Sequence, residues 1–174
     1  WSIDSLIRVS YTPTTVSSGG TTSTLYWRYD LISSQSSILS SQCVIEYDGI
    51  YYWCGTDRFL MYNGVIKEVT NAMNQNWFFD NLNYNQREKI WGTKVPRYGE
   101  IWWFYPTGSS TYNNAYVIYN HLEKIWYYGS IARTAWNDSS LRKYPQAVGG
   151  SYVYNHEQGL NDDVLPMTSY IQTS

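Results

Sequence analysis

The sequence predicts an all-β protein assembled from four-stranded antiparallel meanders, and three observations predict it. Aromatic residues make up 18% of the 174 residues and charged residues only 15%, a balance that suits half-buried pleated surfaces better than charge-laced helices. From residue 43 the strand-like runs CVIEY, IYYWC, RFLMY and VIKEV follow one another with only DG, GTD and NG between them, which is hairpin chemistry. Glycines at 49, 99 and 150 each stand just before an aromatic run, IYYW, EIWWFY and SYVY, at spacings of 50 and 51 residues.

Along the chain, residues 1–42 differ from the rest. The stretches 10–24, SYTPTTVSSGGTTST, and 33–42, SSQSSILSSQ, are rich in Ser and Thr and read as loops. Between them LYWRYDLI can bury one face at strand period, so one strand tethered near a sheet is expected. Residues 43–174 then carry successive meanders starting near 43, 95 and 145, the last incomplete. In the second set, EIWWFY, AYVIYN and KIWYYG follow one another, with a turn at His121-Leu122-Glu123. The pairs Tyr62-Asn63 and Tyr119-Asn120 close corresponding strands. A repeat of about 50 residues holding a four-stranded meander is the pattern of β-propeller blades, in which each sheet face stacks on a neighbour and both faces can be apolar.

One segment departs from strand period. DNLNYNQREKIWG, residues 80–92, offers Asp80 or Asn81 as an N-cap and Gly92 as a stop, so a short surface helix is expected there, either as a connector or as an interface element.

Turn chemistry fixes two registers. A two-residue Asp48-Gly49 loop pairs Tyr47 with Ile50, Glu46 with Tyr51, Ile45 with Tyr52 and Val44 with Trp53, and it sets Cys43 opposite Cys54. Reduced, semi-buried thiols are the preferred reading of that pair, with a disulfide as the alternative. The Asn63-Gly64 turn, read the same way, sets Tyr62 against Val65.

The chemistry-bearing residues are sparse. The chain has no G-x-S-x-G, S-x-x-K, H-E-x-x-H, P-loop or G-x-G-x-x-G motif, so no enzyme activity, catalytic residue, cofactor or metal is expected. His121 and His156 each follow Tyr-Asn and read as turn residues at matching repeat positions, in the slot that Asn63-Gly64 holds in the first meander. Glu157 with Asn161-Asp162-Asp163 has oxygen ligands suited to Ca²⁺, but the spacing fits no EF-hand loop and a solvated inter-strand loop is the preferred reading. The net charge is −2 with a pI near 5.6, which supplies no overall basic footprint for phosphate backbones. No apolar run reaches the roughly 18 residues of a membrane span. The opening WSIDSL, without an initiator Met or an apolar leader, reads as an internal segment of a longer chain.

The series YDGIYYWCGTDRFLMYNG, WFFDNLNYNQREKIWG, EIWWFYP, AYVIYNHLEKIWYYGSIARTAW and YVYNHEQGLNDD resembles the tail nozzle proteins of short-tailed bacteriophages, also called tail hub or packaged-DNA stabilisation proteins, over residues 44–170. The resemblance implies a β-propeller subunit of a homo-oligomeric, usually hexameric, ring beneath the portal and adaptor, in contact with tail fibres or spikes. Such a subunit belongs to the virion and is assembled in the host cytoplasm. It also implies that DNA passes through the ring without sequence-specific binding and is retained there until ejection. Family members are several times longer than this chain, and a closed propeller needs about four blades or more.

The alternative is a carbohydrate- or receptor-binding propeller of the tail, using Trp27, Tyr112 and Trp136 as stacking platforms. A propeller hydrolase would need converging carboxylates, which Glu46, Asp57, Glu100 and Asp138 do not supply at their different levels. Replacing Gly49 by Val is expected to lower the thermal stability of the fold, because a type I′ turn needs positive φ at both central residues; an unchanged melting temperature refutes the register.

Overall fold

The computed structural model describes residues 1–69, 74–162 and 165–166. Two compact units divide the chain, Trp1–Ala132 and Arg133–Ser174. Strands dominate both units, as the composition predicts.

The first unit opens with a long antiparallel ribbon, β1 (Leu6–Ser18) and β2 (Thr21–Ser33). This corrects the reading of residues 10–24 as loop. The stretch lacks large apolar groups, but its Thr and Val residues are β-branched and favour extended backbone. Gly19 and Gly20 turn the chain with φ of 59° and 80°, as a two-residue hairpin turn requires. Ile7 faces Leu31, Val9 faces Tyr29 and Tyr11 faces Trp27; the register then shifts between Tyr11 and Thr14, where Pro13 sits at the bulge. Residues 34–42 remain irregular. They lie against the next sheet, where the Leu39 amide donates to the Cys54 carbonyl at 3.0 Å and the Trp53 indole donates to the Ser37 carbonyl at 3.0 Å.

The first meander consists of β3 (Ile45–Tyr47), β4 (Ile50–Cys54), β5 (Phe59–Tyr62) and β6 (Ile66–Glu68), hydrogen-bonded in that order. The Asp48-Gly49 turn has φ of 51° and 75°, and its pairs are Tyr47–Ile50, Glu46–Tyr51 and Ile45–Tyr52, as expected. The ladder stops there, so the expected pairs Val44–Trp53 and Cys43–Cys54 do not form. Before Ile45 the chain bends away, with the Cys43 amide bonded to the Ser40 carbonyl and the Gln42 carbonyl accepting from the Gly92 amide at 3.0 Å. The second turn differs from expectation by one residue: Tyr62 faces Ile66, not Val65. Asn63, Gly64 and Val65 form a three-residue loop, with Gly64 at φ 102° and the Asn63 amide donating to the Val65 carbonyl.

Helix α1 (Asn74–Asn81) follows, and a 3-10 helix spans Tyr84–Lys89. The single helix expected over 80–92 is therefore replaced by the end of α1 and a tighter segment capped by Asn83, whose side chain accepts from the Asn85 amide. The NQREK run has no apolar face to hold a longer α-helix by packing, and Gln86 departs from helical geometry. Gly92 lies in a strand and is no stop.

The second meander comprises β7 (Trp91–Val95), β8 (Glu100–Tyr105), β9 (Ala115–Asn120) and β10 (Ile125–Gly129), ordered β10-β9-β8-β7. The core of the unit lies between the two meanders. Phe59 on β5 meets Trp103 at 5.0 Å, Trp126 at 4.7 Å and Phe78 of α1 at 4.9 Å, while Tyr52 approaches Tyr119 at 5.9 Å. On the opposite face of the second sheet Trp91 stacks on Phe104 and Trp102 on Tyr116, so both faces carry aromatics, as the continuous apolar runs predict.

The second unit holds β11 (Ala135–Asn137), β12 (Gln146–Gly149) and β13 (Tyr152–Asn155), ordered β11-β12-β13. Gly150, at φ 58°, turns β12 into β13, as Gly49 turns β3 into β4. Strands β14 (Asn161–Asp162) and β15 (Leu165–Pro166) form a short pair.

The two meanders approach closely over Gly92. A Cβ at this position would lie 2.0 Å from Ile45 Cδ1 and 2.9 Å from its Cγ1. Gly92→Ala is expected to cost about 1–3 kcal/mol by overpacking. In the Ile45→Val background, which deletes the clashing Cδ1, the same change should cost less, and chemical denaturation of the four chains measures that coupling.

Candidate functional site

The carboxylates considered for chemistry are built into the scaffold at separate places. Glu46, on β3, accepts from the Gly49 amide at 2.8 Å and from Lys94 Nζ at 3.0 Å, and both hold its pKa below the usual value. Asp57 takes two bonds from Arg58, at 2.9 and 2.6 Å, which likewise lower its pKa. Glu100 accepts from the Trp102 indole at 2.9 Å. Asp138 follows β11 in the second unit. Among the described residues no three His, Cys, Asp or Glu side chains converge on a point where a metal ion could be held. Glu157 adopts φ 58° in the turn after β13, Asn161 and Asp162 form β14, and Asp163 lies outside the described residues.

The histidines do not occupy matching positions. His121 follows β9, the third strand of its meander, whereas His156 follows β13, the strand after the glycine turn and thus the counterpart of β4 and β8. The shared Tyr-Asn-His spelling hides this, because the two sites are 35 residues apart and not one repeat. Both still occupy turns. The His121 amide donates to the Gly99 carbonyl at 2.9 Å, and Asn120 Oδ1 accepts from the Leu122 and Glu123 amides to shape the bend.

His121 closes the gap between the two meanders. Its ring is buried with its centroid 4.2 Å from that of Tyr47, and Nε2 lies 3.9 Å from Asp48 Oδ2 without a hydrogen-bond partner. Burial, with Lys124 nearby, pushes its pKa down against the pull of Asp48. In the second unit His156 Nε2 accepts from Arg133 Nε at 3.0 Å and its ring lies 4.6 Å from Trp136. Burial and the Arg133 charge push its pKa down to about 4. A neutral imidazole accepting from a guanidinium is a structural clamp.

Cys43 and Cys54 are both buried free thiols. Cys43 Sγ donates to the Ser40 carbonyl at 3.0 Å, and the neighbouring Cys54 sulfur, as its hydrogen-bond partner, holds the Cys43 pKa below its usual value. Burial pushes the Cys54 thiol well above its own. Such sealed thiols pack as small hydrophobes.

The aromatics considered for ligand stacking lie on different elements. Trp27 lies on β2 against Tyr11, at 5.4 Å; Tyr112 lies in the β8–β9 loop; and Trp136 is half-buried on β11. A cleft of about 510 Å³ in the first unit is lined by Asp4, Ser34, Gln35, Ser37, Asp57 and Arg58, with no aromatic wall.

The surface that the sequence reading missed is one face of the β1–β2 ribbon. Ile7, Val9, Tyr11, Trp27, Tyr29 and Leu31 share this face by register, while Arg8, Arg28 and Asp30 occupy the other, joined by ion pairs of 2.9 and 2.8 Å. The signal is present in the sequence: the apolar residues alternate at 7, 9, 11 and again at 25, 27, 29, 31. The Ser/Thr-rich tip between them obscured it.

The chain matches no protein-family model and no curated protein. The folded-state pKa of His156 is below its unfolded value, so the unfolded chain binds the proton more readily and stability falls as pH drops from about 6.5 towards 4. Thermal unfolding of His156→Gln, which keeps an acceptor for Arg133 without titrating, should show a shallower loss over that window than the original chain.

Proposed function

We infer that the chain is part of a structural virion subunit of the tail nozzle of a short-tailed bacteriophage, forming with other copies a ring through which DNA leaves the particle. The observation that carries the reading is the stacking of two successive four-stranded meanders face to face through Phe59, Trp103 and Trp126. That arrangement is what neighbouring propeller blades require, and it supports the resemblance in the order of elements over residues 44–170. The side chains fit a scaffold: carboxylates, histidines and thiols are used in turns and packing, and among the described residues no three of them gather where they could hold a metal ion. The weak net charge of −2 suits a conduit that must release a polyanion, since a basic lining would hold it by counterion release.

The reading as a carbohydrate-binding tail propeller is supported by Trp27, which is exposed with Tyr11 at its edge. A glycan array probed with the protein tests it, and saturable sugar binding favours it over the nozzle.

Immunogold labelling of phage particles with antibodies against the chain should decorate the distal tail, and electron microscopy of the purified full-length subunit should show rings with a central channel. Labelling confined to non-virion material, or a subunit without rings under all assembly conditions, refutes the proposal.

A further inference from the structure

The β1–β2 ribbon presents six large apolar side chains on one face, Ile7, Val9, Tyr11, Trp27, Tyr29 and Leu31, each between 41% and 69% exposed. Together they form three successive cross-strand pairs, none of which contains a charged residue. With about 150–250 Å² for each aromatic side chain, the face offers on the order of 700 Å² of apolar surface. The largest patch on an ordinary monomer is about 300–600 Å², whereas one side of a stable protein interface covers about 600–1,000 Å². A two-stranded ribbon is also marginal in water by itself, needing a further layer against its apolar face.

We propose that this ribbon face is a contact surface between copies of the chain, each ribbon seated against a neighbouring copy. Charge placement favours a second copy over a foreign partner. Arg8, Arg28 and Asp30 all lie on the opposite face and are paired with one another, so the apolar face brings no like charges together when identical molecules meet. Nor does it carry any charge by which a different partner could be selected. The area is also that of one half of a self-association interface. The inference rests on the nozzle reading only in requiring that copies of the chain meet.

Sedimentation velocity at micromolar concentration tests the surface. The original chain should sediment as an oligomer, and Trp27→Thr/Tyr29→Thr/Leu31→Thr, which keeps strand-forming residues, should weaken association by at least about 30-fold. Arg28→Thr, on the other face, should leave association unchanged, and circular dichroism verifies that both variants fold. Oxidative footprinting of the original chain gives a readout independent of substitution: Tyr11 and Tyr29 should become reactive on dilution while Tyr112 is reactive throughout. A monomeric original chain, or an oligomer indifferent to the triple change with Tyr11 and Tyr29 reactive at all concentrations, overturns the inference. In the latter case, rings in electron micrographs leave the nozzle reading standing. An oligomer that the triple change dissolves but that never forms rings upholds the ribbon contact and refutes the nozzle.

Discussion

The first unit depends on a single layer of rings between its two meanders. Phe59 is the hub, within 5.0 Å of Phe78, Trp103 and Trp126. A four-stranded sheet has two faces, and one of them must be covered before its hydrogen-bonded ladder is stable in water. Aromatic side chains supply that cover with large area and few rotatable bonds, and each favourable ring pair adds roughly 0.5–1.5 kcal/mol beyond the area it buries. The spacing of the sheets is consequently set by ring dimensions, and the backbone is thinned at Gly92 where Ile45 comes too near for a side chain.

Filling a core with indoles creates a second requirement, because a buried N–H must find an acceptor. The irregular segments meet it for Trp53 and Trp103. Trp53 donates to Ser37 and Trp103 to Cys43, both backbone carbonyls in the chain leading into β3. Ser40 Oγ donates to the Glu88 carbonyl and Asn113 Nδ2 to the Lys89 carbonyl, tying the same loop and the β8–β9 loop to the 3-10 segment. The polar Ser-rich stretch that looks expendable in the sequence is thus fixed by the needs of the aromatic layer.

What could be read from the sequence follows the range of the forces involved. The three pairs nearest the Asp48-Gly49 turn, the meander order and the aromatic strands after Gly99 and Gly150 are short-range matters of turn geometry and period, and they are found as read, whereas the pairing beyond Ile45 is not. The Asn63-Gly64 register shifts by one because a dipeptide favours a turn without determining whether Val65 joins the loop. Residues 84–89 wind as a 3-10 segment because tertiary context, not the propensity of QREK, decides the pitch. The ribbon escaped notice because its strands gain no core, so composition alone gave its tip the look of loop. For the site, the strand period of LYWRYDLI was legible, but the apolar ribbon face emerged only when register put odd-numbered residues of two distant segments side by side.

The bulge at Pro13 bears on the open edges of the ribbon. Any two-stranded ribbon has two outer edges, each a row of amide donors and carbonyl acceptors able to template another strand into a growing cross-β stack. Proline has no amide hydrogen, and the register shift around it displaces neighbouring groups from straight alignment. The row along β1 is therefore interrupted near its middle, while the apolar face remains continuous on the Ile7 side of the bulge. Stickiness is directed outward from the plane of the ribbon and not along it, a geometry that permits assembly of finite size while discouraging fibrils.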